Sequence, residues 1–572
     1  MKENKVNKEN RGNKDNTDNS YSHILKYTGI FGGVQGLNIL VGVLRNKFAA
    51  LFLGPAGMGL LSLFNSTVNL ISSATNFGIP TTGVKIITEQ ERREQERSEE
   101  ERSEEERSEE VSDVREEVLE GRNEVQHAGL EVNQHADMDA NQCFGMNANQ
   151  CFGMNANQHA AINLIRTYSL ISASLGLVVT VLLGPLLDKG TFSWGNHILH
   201  YILLGPTVFF TILAGGEMAI LKATHQLKAL AFCSTALVIF SLLVSVPIYG
   251  VWGQQGILAV LFLLAFCQWG LNFRHTMRVC PLRYDFSQAS LLRGIPLLRM
   301  GMAFVLAGFL NSGAEFLVRA YLSNTANLEL VGLFNASVTI VIVYAGMVFS
   351  VMESDYYPRL SAVPQKGREL NLCVNRQLEM NVLLIGPILM AIILGLPLVI
   401  PLLYDAQFMG MLLMTQVAAL GMLFKAVYLP IEYLPLSRGE SRYFLAQECF
   451  AVLLLLGCQV LGFKWCGSLG VGHSGLPGLG AEQAGLTGLG AGILMAYAIE
   501  AMVVILFSRW HYGYSLSAAA WRHFFCQVFC GGCMLLLVIL LDYHSWAYWG
   551  YGILLLLVSS SYSLMQIRGN LK

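Results

Sequence analysis

Seven charged side chains stand inside long apolar runs of this sequence: Glu217, Arg299, Glu315, Arg319, Lys425, Glu432 and Glu500. A charge at the centre of a bilayer costs a few kcal/mol unless it faces a partner or water. Such residues mark either internal ion pairs or a wet interior. Glu315 and Arg319 are four apart on one helix face, a spacing at which they can neutralise each other. Lys425 and Glu432, seven apart, also share a face. Arg299, Glu432 and Glu500 lie near predicted helix ends, within snorkelling reach of water. The chemistry on offer is recognition: cations to hold an anionic group, and a carboxylate whose titration drives a cycle.

Covalent chemistry finds no support. There is no Gly-x-x-x-x-Gly-Lys-Ser/Thr loop to cradle ATP phosphates, no nucleophile elbow and no His-Glu-x-x-His pair. No catalytic residue and no cofactor are expected. Cys526, Cys530 and Cys533 have the Cys-x-x-x-Cys-x-x-Cys spacing of an iron–sulfur site. They sit in an apolar run beside Gly531 and Gly532, however, on one helix face where small residues favour close helix packing. No metal is expected there. Most of the twelve cysteines lie in apolar runs, as small hydrophobes rather than a disulfide framework.

The elements that must position these charges are membrane-spanning helices. Of 572 residues, 53% are hydrophobic and 14% charged, against about 25% charged in soluble domains. Apolar runs long enough to cross a hydrocarbon core fall at about 24–43, 59–87, 163–187, 197–222, 229–251, 255–272, 297–323, 328–352, 380–404, 409–434, 443–463, 486–508, 522–541 and 547–566. That is an all-α integral membrane protein of about 14 spans. With both termini on one side, 31 of the 38 Lys and Arg residues fall in loops on that side and only Arg45, Lys47, Lys189 and Lys464 on the other. The positive-inside rule makes the basic side cytoplasmic. The first twenty residues, polar and rich in Asn and Lys, lack a cleavable-signal pattern, so the first span is expected to remain as an anchor. Low-complexity stretches, over 89–160 (a Glu-Arg-Ser-Glu-Glu repeat, then an Ala-Asn-Gln-Cys-Phe-Gly-Met-Asn octet) and 467–490 (rich in Gly and Leu), read as loosely ordered insertions. The charged repeat is also compatible with a solvated single helix.

Four stretches carry a resemblance. Leu53-Gly-Pro-Ala-Gly-Met-Gly-Leu60 and Asn76-Phe-Gly-Ile-Pro-Thr-Thr-Gly-Val-Lys-Ile-Ile87 frame the second span. Glu353-Ser-Asp-Tyr-Tyr-Pro-Arg-Leu-Ser361 follows the eighth, and Ser437-Arg-Gly-Glu-Ser-Arg-Tyr-Phe444 precedes the eleventh. Together the chain resembles bacterial O-antigen and enterobacterial-common-antigen lipid flippases, the polysaccharide transporter branch of the multidrug/oligosaccharidyl-lipid/polysaccharide exporter superfamily. The likeness covers nearly the whole chain outside the low-complexity stretches. On physical grounds Gly54, Pro55, Gly57 and Gly59 make a tight turn between helices. Gly78 and Pro80 weaken the helix near its basic-side end, and Pro358 breaks the eighth span beside the anchoring Arg359.

The resemblance implies two six-helix lobes around a central cavity plus a C-terminal helix pair. A disordered cytoplasmic N-terminus (1–20) precedes an N-lobe (21–272), followed by a cytoplasmic linker (273–296), a C-lobe (297–508) and the pair (509–572). It implies translocation of an undecaprenyl-diphosphate-linked oligosaccharide between leaflets of the bacterial inner membrane. Partners would be that substrate, membrane lipids and glycan polymerase or ligase machinery, and no nucleic acid. Arg319 and Lys425, then Arg299 and Arg45, are the expected diphosphate ligands; Glu217 and Glu315 are the expected ion-coupling carboxylates. A cation-coupled drug or metabolite antiporter of the same fold is the alternative. A membrane glycan polymerase or ligase fits less well, because the longest loop opposite the basic side, around 467–490, offers only His473 and Glu482 as titratable groups.

Overall fold

The computed structural model describes residues 3–90, 92–93, 96–98, 156–191, 197–344, 346, 349, 356–357, 359–364, 367–471 and 481–571. Most of the charged and octet repeats, residues 472–480 and Pro358 lie outside the described residues. Among those described there is no strand, the outcome expected where a backbone in hydrocarbon must satisfy its own hydrogen bonds.

A helical stretch over Glu3–Thr75 is broken at Gly54 (φ 65°, ψ −177°) into α1 (3–53) and α2 (55–75). There follow α3 (Ala156–Thr191), α4 (Ile198–Ala223), α5 (Leu227–Trp252), α6 (Ile257–Val279) and α7 (Gln288–Thr325). Next are α8 (Leu328–Val338, prolonged by a π turn Thr339–Tyr344), α9 (Arg368–Leu403), α10 (Leu412–Ser437) and α11 (Ser441–Val471). The last are α12 (Ala481–Tyr512), α13 (Ala518–Leu540) and α14 (Trp546–Leu571).

By length and apolarity alone, 10 stretches can cross a membrane. Two of them, Leu40–Thr75 and Lys228–Val279, fold back on themselves, and α7 and the shorter apolar α8 lie where the seventh and eighth spans are expected. The first reversal is visible in the partners. Asn38 bonds Ser234 at the start of α5, and Phe52 packs on Gly250 near its end, so α1 runs parallel to α5. α2 then returns antiparallel to α7, with Gly59 against Leu328, Ser73 against Ser312 and Gly78 against Gly301. Only glycine takes the left-handed conformation of residue 54 without strain, and Pro55 opens the next helix.

α1 therefore does not stop near residue 43. It continues ten residues to Leu53, which places Arg45 and Lys47 within the helix instead of in a loop. The second span is shorter than expected: it ends at Thr75, and Phe77 (φ 51°) and Gly78 (φ 70°) break the chain before a further helix over 79–90. Because the helices alternate in direction, Lys85, Arg274, Arg283, Arg368, Arg438, Arg442, Arg509 and Arg522 share one face of the bundle, hereafter the basic face. Exposed Trp252, Trp465 and Trp546 mark the opposite end and Trp510 the basic end, as interfacial aromatics do.

Packing contacts occur within α1–α6 and within α7–α12, here the first and second sets of six helices. In the first, Phe64 of α2 meets Tyr201 of α4 edge-on (5.9 Å), Gly176 of α3 lies under Thr75 and Asn272 of α6 bonds the Ala214 carbonyl. In the second, Tyr321 of α7 meets Phe463 of α11 edge-on (5.8 Å), and α10 lies in the most enclosed of the ten apolar stretches. The pair α13–α14 rests on α9 through Tyr548 to the Leu394 carbonyl (3.1 Å). It is held together by Gln527, which donates to Ser563 (2.9 Å) and accepts from Ser559 (2.7 Å). Cys530 and Gly531 face α10, where Gly531 accommodates Leu420.

The Gly/Leu-rich stretch is partly structural. Its end, from Ala481, is the first turns of α12, where Gly485, Gly488 and Gly492 lie flush on α11; a Cβ on Gly488 would overlap the Gly462 carbonyl oxygen. Between membrane helices the gain comes from such close backbone approach.

Candidate functional site

The interior charges fall into three groups, each built by different helices. The first sits at the basic end of α3, α4 and α6. Arg166 donates from Nε to Glu217 Oε1 (3.2 Å), with both residues almost fully buried. The Thr276 hydroxyl donates to the same carboxylate. Arg166 Nη1 also donates to the carbonyls of Cys280 (3.1 Å) and Pro281 (3.0 Å), tying down the chain just before α7. Glu217, expected as a coupling group, is the counter-ion of a buried arginine that the sequence places at the edge of a loop.

The second group lies between the two sets of helices. Arg319 of α7 donates from Nε to Ser62 Oγ of α2 (2.7 Å) and from Nη2 to Asn335 Oδ1 of α8 (3.1 Å). Its Nη1 donates to the Glu315 carbonyl (2.9 Å) and carboxylate (3.4 Å). The Glu315–Arg319 pairing expected from their spacing is present, with Arg319 buried and the Glu315 side chain half exposed (49%). At 1.5 Å per residue, Ser62 is about 10 Å from the opposite-face end of α2.

The third group runs from the middle of α10 and α12 toward their basic ends, with α11 beside them. Lys425 Nζ stands 5.7 Å from the centre of the Tyr497 ring, a cation–π geometry. Tyr428, Lys425 and Glu448 all lie close enough to the Glu500 carboxylate to bear on its charge. Glu432 bears on Tyr428 and Tyr497. Lys425, Glu432 and Glu500 are thus brought together as members of one network. Glu448, five residues inside the apolar run 443–463, joins this network without being among the seven charges above. Arg319 and Lys425 fall in separate groups with separate partners. Arg45 is half-buried, with Nη2 on Asn46 Oδ1 (3.2 Å), and the side chain of Arg299 lies outside the described residues.

Around these groups the two sets of helices touch at both ends of α2. Towards the opposite face, a Cβ on Gly59 would overlap the Leu328 carbonyl oxygen and one on Gly332 the Pro55 carbonyl oxygen. Lys47 Nζ donates to the Pro401 carbonyl (2.6 Å) and the Tyr404 carbonyl, capping the C-terminal end of α9 where a cation complements the helix dipole. Towards the basic face, Gly301 is pressed on the Phe77 carbonyl and Gly294 on the Tyr168 ring. The motif residues after α8 and α10 brace this face. Tyr356 donates to the Pro430 carbonyl (2.8 Å), and Arg438 donates to the carbonyls of Val363 (2.7 Å) and Pro364 (3.1 Å). Gly54 and Gly59 thus serve as turn and contact, and Gly78, followed by Pro80, as the break after α2.

No family model and no curated protein matches the chain. Solved structures do. The lipid II flippase MurJ in an inward closed conformation superimposes with a TM-score of 0.64 at 12% identity, covering 95% of this chain and 100% of that one. An inward-facing multidrug resistance MATE transporter of the MOP superfamily gives 0.53 at 13% identity, covering 84% and 94%. The fold is that of the MurJ and MATE transporters. Contact at both ends of α2 accords with a closed arrangement.

Proposed function

We propose that this chain is a flippase of the bacterial inner membrane that moves an undecaprenyl-diphosphate-linked oligosaccharide of O-antigen type from the cytoplasmic to the periplasmic leaflet. In that reading the basic face is cytoplasmic, and both termini lie there. The observation that carries it is the placement of charge on the MurJ-like fold: a network of one lysine and three carboxylates amid α10–α12, and an ion pair on the seam between two sets of helices. A glycan cannot cross hydrocarbon unaided, since burying one unpaired hydroxyl costs about 2–7 kcal/mol. Two helix sets that part alternately on either face remove that barrier while the lipid tail stays in the bilayer.

Among the expected diphosphate ligands, Lys425 is the one placed mid-bilayer in the most enclosed of the ten apolar stretches, so we assign it the anionic head group. Glu500 and Glu448, which share its field, are better placed for coupling than Glu217, whose charge is taken by Arg166. The same network supports the second reading, a cation-coupled antiporter of small molecules. Transport of a fluorescent lipid-linked glycan in proteoliposomes, with and without an imposed proton or sodium gradient, tests the proposal. Glycan appearing on the far leaflet only with protein present is the expected result. No movement, with export of small cations instead, removes it in favour of the antiporter.

A further inference from the structure

One guanidinium reaches both sides of the seam between α2 and α7–α8. Of the four acceptors around Arg319, the Glu315 carbonyl and carboxylate belong to its own helix and Asn335 to the adjoining α8. Only Ser62 belongs to the other set of helices. If α7 and α8 swing away from α2, Arg319 therefore keeps its counter-ion and most of its hydrogen bonds. A buried ion whose partner stayed behind would be left uncompensated, at heavy cost, and would weld the two sets together. This arrangement avoids that.

We propose that Arg319 is a latch that holds the opposite-face end of the seam shut through its bond to Ser62 and releases that bond when the seam opens. The inference rests on the alternating-access reading above. Two other observations support it. Next to the latch, Gly59 and Gly332 bring backbone to backbone, so no interlocked side chains hinder parting. The Glu315 carboxylate is half exposed about 15 Å into α7 from its opposite-face end, and a carboxylate at that depth calls for a watered space beside the seam. Arg319 is thus a positioning residue of the gate and not a ligand for the transported head group.

The test uses Ser66→Cys as a reporter. Ser66 is buried, one turn deeper than Ser62 on the same face of α2. A membrane-impermeant maleimide is applied from the opposite face of oriented proteoliposomes, and labelling of that peptide is followed by mass spectrometry. With Arg319 present, labelling is slow. In Arg319→Gln it is expected to rise about tenfold or more, as loss of a charge-assisted hydrogen bond predicts, and Arg319→Lys is expected to fall between. A permeant maleimide probing native Cys280 and Cys530, both buried, separates opening from unfolding. Unchanged Ser66→Cys labelling in Arg319→Gln overturns the latch; so does a rise matched at Cys280 and Cys530. Glycan transport is read in the same vesicles. Responsive labelling without transport supports the latch and removes the substrate reading, whereas transport with unresponsive labelling removes the latch alone.

Discussion

Replacing Glu217 by Ala leaves Arg166 without its counter-ion, and the size of the effect can be worked from the geometry. Arg166 and Glu217 are both more than nine-tenths buried, so water cannot take over the lost charge. Breaking one side of a buried pair costs roughly 3–5 kcal/mol. Arg166 keeps the Cys280 and Pro281 carbonyls, which places the expected loss near the lower end of that range. Thr276 loses its acceptor as well, adding about 1 kcal/mol. Removing both charges by Arg166→Met with Glu217→Met is expected to recover most of the loss, because apolar side chains of similar volume satisfy the same space. The assay is thermal unfolding of detergent-purified protein, with transport measured in proteoliposomes below the transition of each variant. If Glu217→Ala unfolds at the wild-type temperature yet has lost gradient-driven transport, Glu217 is a coupling group after all and the counter-ion argument fails.

Three further outcomes are expected. Ser73 Oγ and Ser312 Oγ are 3.0 Å apart across α2 and α7, so Ser73→Cys with Ser312→Cys should cross-link under oxidation and halt transport reversibly; cross-linked protein with full transport would show that this seam never parts. Lys47→Met removes the cap on α9 and should lower stability by about 1–2 kcal/mol without changing labelling of a buried cysteine on α13, as read by thermal unfolding. Gly488→Val forces α12 off α11 and should abolish folded protein at membrane-expression level, whereas Gly532→Val, with open space around it, should be tolerated.

What could be read from the sequence was set by local physics. Apolar run length locates most of the spans, because a helix in hydrocarbon answers to the thickness it must cross. The Glu315–Arg319 pair was legible because four residues make one helical turn. The end of α1 was misplaced because Arg45, Asn46 and Lys47 look like a loop; the helix continues through them, since Lys47 finds the carbonyls of α9 and only Gly54 supplies a reversal. The Gly/Leu stretch looked shapeless because glycine is read as a helix breaker, whereas between packed membrane helices it is a contact surface. Pairings between distant segments, Arg166 with Glu217 or Arg319 with Ser62 and Asn335, leave no mark in one sequence. Glu448 did leave one, as a carboxylate inside an apolar run.

Among its contacts α2 touches α8 at Gly59, and the turn after it touches α7 at Gly78, and at both the contact is backbone on backbone with no knob seated in a hole. At such a contact a turn of the helix would drive a side chain into space that only glycine fits, whereas drawing the two surfaces apart meets no interlocking. Opening along this seam would then be the parting of two smooth surfaces, with no helix turning first.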